Sequence, residues 1–235
     1  MLVLALDTST RAGSCALTRD GTVIGEHGTD AAMSHDAQLP AALMRTLERA
    51  GVALGDVEVY AVAIGPGSFT GLRVGIATMQ GLAFAAGKPL VGVSAFDALA
   101  RIAGRGLVAT WIDAWRGEVY AALYENGLEI EPPAVEHPDA IVRRLGSDPG
   151  DARGWGLTPI TFIGEAAGVY ASMILSAMGD HARIATPPAP LLAGTIAAIA
   201  AESARAGHTP PPHAIRPLYV RRPDAELARD ARPVP

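Results

Sequence analysis

Two aspartates stand at the ends of apolar runs that predict buried strands. Asp7 follows Leu2–Leu6, and Asp113 follows Leu107–Ile112. A carboxylate in a polar turn at the end of a strand suits the binding of a nucleotide through its phosphates and a metal ion. Aspartate also forms turns with its own backbone, and this explains each residue equally well when it is taken alone. Together they favour a nucleotide cleft, with the candidate residues Asp7, Thr8, Ser9, Asp113 and Arg116.

Other catalytic and metal-binding groups are sparse. The six histidines include no pair spaced three or four residues apart, so no metal site on a helix is predicted. The single cysteine, Cys15, excludes a disulfide framework, and its place in a predicted strand indicates a buried thiol rather than a nucleophile. We therefore predict no catalytic residue, no metal site and no tightly bound cofactor.

The stretch from Gly65 to Gly75, Gly-Pro-Gly-Ser-Phe-Thr-Gly-Leu-Arg-Val-Gly, joins a predicted strand to a predicted helix. Its glycines allow the backbone to turn tightly and to approach a neighbour closely. The free N–H groups at the start of the helix could also hold an anion. The glycine spacing does not match a dinucleotide-binding fingerprint, and no P-loop Gly-Lys-Ser/Thr follows. Two interpretations stay open, a tight structural turn and an anion site.

The elements that must position these residues occur twice. Each half begins with a strand, an aspartate, a polar turn, a second strand, an Asx-Gly turn and a third strand. Asp20 lies 13 residues after Asp7, and Asn126 lies 13 residues after Asp113. Helices and strands then alternate. This order predicts an α/β protein with two ribonuclease-H-like (actin-like) lobes, each a mixed sheet with flanking helices, and nucleotide phosphates would lie between them.

The predicted elements divide the chain into four parts. Residues 1–105 form an N-terminal actin-like lobe with the partner-binding helices, and residues 106–190 form a second actin-like lobe. Residues 191–222 form a C-terminal helix and a segment that pack back between the lobes, and residues 223–235 form a flexible tail. Further elements predicted in the second lobe are a strand at Leu128–Glu131, a loop at 147–159, a strand at Ile160–Ile163 and a helix at Glu165–Met178.

Composition excludes several classes of protein. Of the 235 residues, 49% are hydrophobic and 18% are charged, which excludes a disordered chain. The formal net charge of −5 makes the chain a poor candidate to bind nucleic acid through phosphate contacts of its own. The first apolar run has no leading cation, and the run Leu191–Ala201 is too short to span a bilayer. We expect a soluble, cytoplasmic protein that does not contact a membrane.

The helix predicted from Phe69 to Ala86 is apolar on nearly all sides, although the sheet of its own lobe can cover only one side. One stripe consists of Leu72, Ile76, Met79 and Ala83, and the other of Val74, Thr78, Leu82 and Ala85. A neighbouring helix, predicted to begin at Ser34, has its own leucine stripe. We predict that the two helices bind a partner, through either stripe of the second helix. The candidate interface residues are His35, Leu39, Leu43, Leu47, Phe69, Leu72, Arg73, Ile76, Met79 and Ala83.

The sequence from Ile64 to Ala100, IGPGSFTGLRVGIATMQGLAFAAGKPLVGVSAFDALA, closely resembles the bacterial TsaB (YeaZ) family of tRNA threonylcarbamoyladenosine biosynthesis proteins. Most of the chain shares the resemblance, except the loop at 147–159 and the last dozen residues. Four further segments carry it: ALDTST near the start, SHDAQLP (Ser34–Pro40), IDAWRGEVYAALY (Ile112–Tyr124) and PLYVRRP (Pro217–Pro223).

The resemblance implies an actin-like fold and a non-catalytic role beside TsaD, the paralogous catalytic subunit. TsaD-type sequences carry His-His-x-x-x-His after the equivalent strand, and the histidine pair binds the catalytic metal. Here Ala95 and Leu99 stand in those places, and neither side chain can bind a metal.

The partners that the resemblance implies are a TsaD-type paralogue, in a heterodimer, and the ATPase TsaE. Together they would move a threonylcarbamoyl group to N6 of adenosine 37 of tRNA (t6A37), with the tRNA contacted through the complex. We expect a homodimer when the partner is absent, and ATP or ADP with magnesium only in the complex.

A second class of function is a stand-alone actin-like nucleotide-binding phosphotransferase or metallopeptidase. The missing histidines weigh against the peptidase. A phosphotransferase needs a general base that faces the cleft, and the candidates are Asp7, Asp97 and Asp113. A longer actin-like chain with His-His-x-x-x-His in the same genome would favour the accessory subunit.

Overall fold

The computed structural model of the chain describes residues 1–28, 35–146 and 158–221. Ser34, nearly all of the predicted loop at 147–159 and the predicted tail lie outside these described residues. None of the helices within the described ranges combines the length and the apolar character needed to cross a membrane.

The first lobe is a five-stranded mixed sheet. The second strand in the chain runs antiparallel to the first and the third, and the fourth and fifth run parallel to the first. The elements are β1 (Leu2–Asp7), β2 (Ser14–Arg19), β3 (Thr22–Gly28), α1 (His35–Arg49), β4 (Val59–Gly65), α2 (Phe69–Ala86), β5 (Leu90–Ser94) and α3 (Ala95–Ala103). The strand order is β3-β2-β1-β4-β5.

The second lobe repeats this arrangement. Its elements are β6 (Leu107–Asp113), β7 (Val119–Glu125), β8 (Leu128–Glu136), α4 (Pro138–Gly146), β9 (Ile160–Ile163), α5 (Glu165–Val169), α6 (Ala171–Met178) and β10 (Ala182–Ile184). The last helix, α7 (Ala193–Arg205), follows the second lobe in the chain. The strand order β10-β9-β6-β7-β8 is that of the first sheet, with β6 in the place of β1. The predicted α/β fold of two ribonuclease-H-like lobes is therefore confirmed.

Both predicted Asx-Gly hairpin turns are present. Asp20 and Asn126 each have a φ of 51°, and the glycine that follows each has a φ of 85°. Two successive residues with positive φ suit the right-handed twist of the flanking strands, and Asx-Gly adopts this conformation at low cost.

Strand β8 extends five residues beyond the predicted end at Glu131, to Glu136. Prolines stand at 132 and 133, and proline cannot donate a ladder hydrogen bond. However, β8 is the edge strand of its sheet, and an edge strand tolerates proline.

The predicted helix Glu165–Met178 is two helices that meet at Tyr170. Gly168 weakens the helical run, and a Cβ there would lie 3.1 Å from Cγ of Pro188. Tyr170 places its ring edge-on to Trp111, with the centroids 6.5 Å apart. Gly168 and Tyr170 each pack against a residue that is distant in sequence. Helical periodicity does not reveal such contacts, so it predicted one helix.

The central hydrophobic core lies between the two sheets and includes α3 and α7. One cluster of buried side chains joins Ala5 and Ala61 of the first sheet, Ile112 and Tyr124 of the second, and Ile196 of α7. Two further clusters lie on the outer faces, one beneath α1 and α2 and the other beneath α4, α5 and α6. The last helix therefore helps to hold the two lobes together.

The start of α7 is fixed to the first lobe. The N–H of Ala193 donates to Oγ of Ser14 at 3.0 Å, and the N–H of Gly194 donates to Oε1 of Glu26 at 2.7 Å. These side chains satisfy N–H groups that have no acceptor within the helix.

Candidate functional site

Asp7 uses its carboxylate within its own turn. Its Oδ1 accepts hydrogen bonds from the N–H and the hydroxyl of Ser9, at 2.8 and 2.5 Å, and its Oδ2 accepts one from the hydroxyl of Thr10 at 2.9 Å. The side chain is also buried, because Asp7 is only 1% exposed. Asp7 therefore closes the β1–β2 turn.

The glycines at the start of α2 pack directly on this turn. A Cβ at Gly71 would lie 2.4 Å from the carbonyl oxygen of Thr8, and a Cβ at Gly75 would lie 2.2 Å from the Thr8 hydroxyl oxygen. In addition, the N–H of Ser68 donates to the carbonyl of Ser9 at 3.1 Å. These contacts favour the interpretation of the glycine-rich stretch as a tight structural turn.

This packing corrects part of the predicted nucleotide cleft. Thr8 and Ser9 were expected to face a ligand, but they are 0% and 1% exposed beneath the start of α2. The helix covers the turn because Gly71 and Gly75 let its backbone come into contact with it.

Asp113, the counterpart of Asp7, is partly exposed to solvent. Its side chain is 32% exposed, and its Oδ2 lies 3.2 Å from Nη2 of Arg11, in the first lobe. Its Oδ1 accepts a hydrogen bond from the N–H of Trp115 at 2.8 Å. Arg116 follows in the same turn, is exposed and has a φ of 58°.

Glu165 joins this group, although sequence analysis did not single it out. Its Oε2 accepts a hydrogen bond from the backbone N–H of Arg11 at 3.2 Å. Burial raises the pKa of Glu165, the charges of Asp113 and Asp7 raise it further, and Arg11 opposes the change. The signal in the sequence was its place after β9, because β9 runs parallel to β6 and the two strands end at the same edge.

The residues around the Asp7 turn do not fit a magnesium nucleotide. The cavity between this turn and the start of α5 has a volume of about 40 Å³, whereas small-molecule pockets typically have about 300 Å³ or more. No group of three or more His, Cys, Asp or Glu side chains in the described ranges could hold a metal ion. Arg11 instead bridges the lobes through Asp113 and Glu165.

Most of the predicted partner-interface residues face the core of the first lobe, which corrects that prediction. Each helix turns its most apolar stripe towards its own sheet, so these side chains are at most 4% exposed. The buried residues are Leu39, Leu43, Leu47, Leu72, Ile76, Met79 and Ala83. The side chain of His35 lies outside the described part of the chain.

An apolar groove remains on the outer side of α1 and α2. We call it the outer groove; its volume is about 350 Å³. Met44 of α1 is 45% exposed at the groove, and Phe84, near the end of α2, is 84% exposed. The residues that line the groove are Pro40, Leu43, Met44, Leu54, Ala77, Thr78, Gly81 and Leu82.

Comparisons with known proteins identify the family. A family model described as TsaD, tRNA N6-adenosine threonylcarbamoyltransferase, matches residues 22–229. The tRNA threonylcarbamoyladenosine biosynthesis protein TsaB of Escherichia coli is 38% identical over 172 residues, which cover 68% of this chain and 74% of that protein. The chain belongs to the TsaB (YeaZ) family.

Two further relatives agree with TsaB membership. The TsaB protein of Bacillus subtilis is 32% identical over 191 residues, which cover 79% of this chain and 80% of that protein. The solved structure of YeaZ from Pseudomonas aeruginosa has a TM-score of 0.72 at 32% identity and covers 93% of this chain and 99% of that chain.

In this TsaB-family chain, the two positions compared with the metal ligands of TsaD lie in the central core. Ala95 and Leu99 are 0% and 1% exposed, at the start and in the middle of α3. Their side chains carry no atom that could ligate a metal.

The TsaB segment PLYVRRP contains residues that connect the lobes. We call residues 215–221 the crossing segment. The N–H of Leu218 donates to the carbonyl of Ile64 in the first lobe at 2.7 Å, and the Arg221 guanidinium donates to the carbonyl of Ala114 in the second at 3.1 Å. Arg221 also pairs with Glu118.

Two predicted interface residues, Phe69 and Arg73, contact this crossing segment. The ring of Phe69 stacks on that of Tyr219 with the centroids 5.3 Å apart, and Nε of Arg73 donates to the Tyr219 hydroxyl at 2.8 Å. The guanidinium of Arg73 lies 3.9 Å from the centroid of Phe69. Both residues therefore have partners within the chain.

Proposed function

We propose that this chain is an accessory subunit of t6A synthesis on tRNA, and that it has no catalytic activity of its own. It acts by binding a TsaD-type paralogue, the catalytic subunit. The observation that carries the proposal is the match, over most of the chain, to proteins named for threonylcarbamoyladenosine biosynthesis.

The geometry of the cleft supports the non-catalytic role. Asp7 is engaged inside its turn, and Asp113 forms an ion pair with Arg11. Neither carboxylate is placed as the general base that a phosphotransferase needs. The proposal places any binding of ATP or ADP with magnesium in the assembled complex and not at the turn of the isolated chain.

The outer groove is the docking surface in this proposal. Ala77 and Gly81 are small residues on α2, and they allow another helix to approach closely. Two helices of the paralogue packed against α1 and α2 would form a four-helix arrangement. In the absence of the paralogue, a second copy occupies the same surface and gives a two-fold homodimer. The TsaE-type ATPase and the tRNA join through the complex, in the cytoplasm.

Co-purification with the TsaD-type paralogue from the same genome tests the proposal. The variants Met44→Glu and Ala77→Glu place a charge in the outer groove at exposed positions, so the fold is preserved. A charge buried without a partner costs several kcal/mol, so we expect affinity to fall by about a hundredfold or more. Leu128→Glu is the matched control, because Leu128 is 73% exposed in the second lobe.

Unchanged affinity of both groove variants would show that the interface lies elsewhere. Ile76→Glu and Met79→Glu are unsuitable for this test, since those side chains are 4% and 0% exposed and a charge there would disrupt the core. The isolated chain should show no threonylcarbamoyl transfer, peptidase or kinase activity. Metal-dependent turnover that Asp7→Ala abolishes would contradict the non-catalytic role.

A further inference from the structure

A pocket on the outer side of the second lobe is not used by the function proposed above. It lies between α4 and the outer face of strands β6, β7 and β8, and its volume is about 340 Å³. Pockets that hold small molecules have volumes of about 300 to 1,000 Å³. We call it the second-lobe pocket, and its inner wall consists of Ala109, Trp111, Ala121, Leu123 and Ile141.

The inner wall of the second-lobe pocket is apolar and shielded from solvent. Its residues are at most 7% exposed. Ala109 and Ala121 are small, so they leave room on the sheet beside the larger side chains of Trp111 and Ile141. An apolar wall of this kind favours a ligand whose own apolar surface is removed from water when it binds.

Trp111 is the residue of this wall with a polar side-chain group, its indole N–H. The side chain is 0% exposed, and Nε1 has no hydrogen-bond partner among the described residues. The ring packs edge-on against Phe162, with the centroids 5.2 Å apart. Buried N–H groups nearly always have an acceptor, because an unpaired one has lost the hydrogen bond that water would supply. A ligand in the pocket would supply the missing acceptor.

The charged residues of the pocket stand at its more exposed mouth and are already paired. Nη2 of Arg144, on α4, lies 3.0 Å from Oε1 of Glu136 on β8, and its Nη1 pairs with Glu131 of the same strand. These three side chains are 19% to 37% exposed. Because the guanidinium is engaged by two carboxylates, an anionic ligand would meet their negative charge at the mouth. The pocket therefore suits an uncharged molecule.

We propose that the second-lobe pocket binds a small, neutral, apolar molecule with one hydrogen-bond acceptor, such as a carbonyl group on a ring. The apolar part of the molecule lies against Ala109, Ala121 and Leu123, and its acceptor takes the hydrogen bond of the Trp111 N–H. The ion pairs of Arg144 hold α4 to β8 across the mouth of the pocket.

Titration of the full chain with three probes of similar shape, followed by NMR, tests this chemistry. Acetophenone has a ring and a carbonyl, ethylbenzene lacks the acceptor, and benzoate carries a charge. Acetophenone should bind about tenfold more tightly than ethylbenzene, because it gains one hydrogen bond, and benzoate should bind most weakly. Trp111→Phe keeps an aromatic ring without the N–H, so it should weaken acetophenone to the level of ethylbenzene and leave ethylbenzene almost unchanged.

The indole N–H signal of Trp111 reports the contact directly in the unaltered protein. The chain has three tryptophans, so three indole signals are expected. Trp115→Phe and Trp155→Phe assign the other two, which identifies the Trp111 signal without a change in the pocket. Saturating acetophenone should move this signal downfield and ethylbenzene should not, because only acetophenone accepts a hydrogen bond.

Ala134→Leu fills the pocket from the edge strand and should abolish the binding of acetophenone and ethylbenzene, because Ala134 is a half-buried lining residue. Ala177→Leu is the matched control, since Ala177 is exposed on α6 and does not line the pocket. Met44→Glu should bind acetophenone normally, so failure of this proposal and failure of the docking proposal are separate results. No binding at millimolar acetophenone, an unmoved Trp111 signal, or equal effects of Ala134→Leu and Ala177→Leu would overturn the proposal.

Discussion

The two lobes share one topology but use their first aspartates in opposite ways. Asp7 and Asp113 both end the central strand of a five-stranded sheet. Asp7 is 1% exposed and accepts hydrogen bonds only from its own turn, among the bonds described. The side chain of Asp113 is 32% exposed and pairs with an arginine of the other lobe.

The difference comes from the helix that covers each turn. In the first lobe, the eighteen-residue α2 brings Gly71 and Gly75 against Thr8 and seals the turn. In the second lobe, α5 has only five residues, and its preceding Gly164 packs on the backbone of Trp111 in β6. Equivalent positions in a repeated fold can therefore have different roles, because the neighbouring helix decides whether solvent or a ligand can reach them.

The largest expected effect is a contrast between the two aspartates. Asp7→Ala leaves the Ser9 N–H and the hydroxyls of Ser9 and Thr10 without acceptors in a buried turn, which should cost about 3 kcal/mol of unfolding free energy. Asp113→Ala removes an exposed ion pair and should cost less than about 1 kcal/mol. Urea unfolding of the two variants measures both, and equal costs would contradict the assigned difference.

A smaller effect should follow from adding one methyl group to α2. In Gly71→Ala the new Cβ would lie 2.4 Å from the Thr8 carbonyl oxygen, so the helix must shift, at about 2 kcal/mol. Gly81→Ala is the matched control in the same helix, because nothing lies within 4 Å of its Cβ. Alanine favours helix, so this control should gain about 0.5–1 kcal/mol. Chemical unfolding that ranks the two variants in the reverse order would show that α2 does not seal the turn.

The smallest effect concerns the pH dependence of stability. The pKa of Glu165 is raised in the folded protein by burial, so its ionisation lowers stability as pH rises through that pKa. Glu165→Gln should therefore raise Tm by about 2 °C at pH 7 to 8, and the gain should disappear below the ordinary glutamate pKa of about 4.3.

Glu202→Gln is a control of opposite sign. Its hydrogen bonds with Arg101 lower the pKa of Glu202, so the carboxylate stabilises the fold above its ordinary pKa. The variant should lose a little stability at neutral pH and none in acid. Thermal unfolding from pH 3 to 8 checks both variants, and a Glu165→Gln gain that persists at pH 3 would contradict the role of burial.

Local signals were sufficient to predict most of the fold. The helix predicted at Phe69–Ala86 has those bounds in the structure, because its signals are adjacent in sequence: the Ser68 side chain accepts a hydrogen bond from Gly71 N–H, and Gly87 adopts a φ of 62°. The strand predicted at Ile160–Ile163 is also observed with those bounds. Turn chemistry and hydrophobic periodicity act over a few residues, so they can be recognised in one chain.

Contacts between distant residues could not be predicted in this way. Glu165 meets Arg11 across 154 positions, and no local pattern pairs them. The two stripes of α2 are both apolar, so periodicity did not decide that Ile76 faces inward and Thr78 outward. That choice depends on where the sheet lies. The predicted partner interface consequently consists mostly of residues that the structure buries.

Helix α7 packs against the inner face of the first sheet, but it is synthesised long after that sheet. Ala5, Ala16 and Ala61 of the sheet form one cluster with Ile196 and Ala197 of α7. The three alanines are not covered by α7 while the second lobe is being synthesised. A nascent chain halted before residue 193 thus presents an apolar sheet face that chaperones can bind and that can aggregate. The first sheet, which is synthesised early, is therefore completed only when α7, which is synthesised late, packs against it.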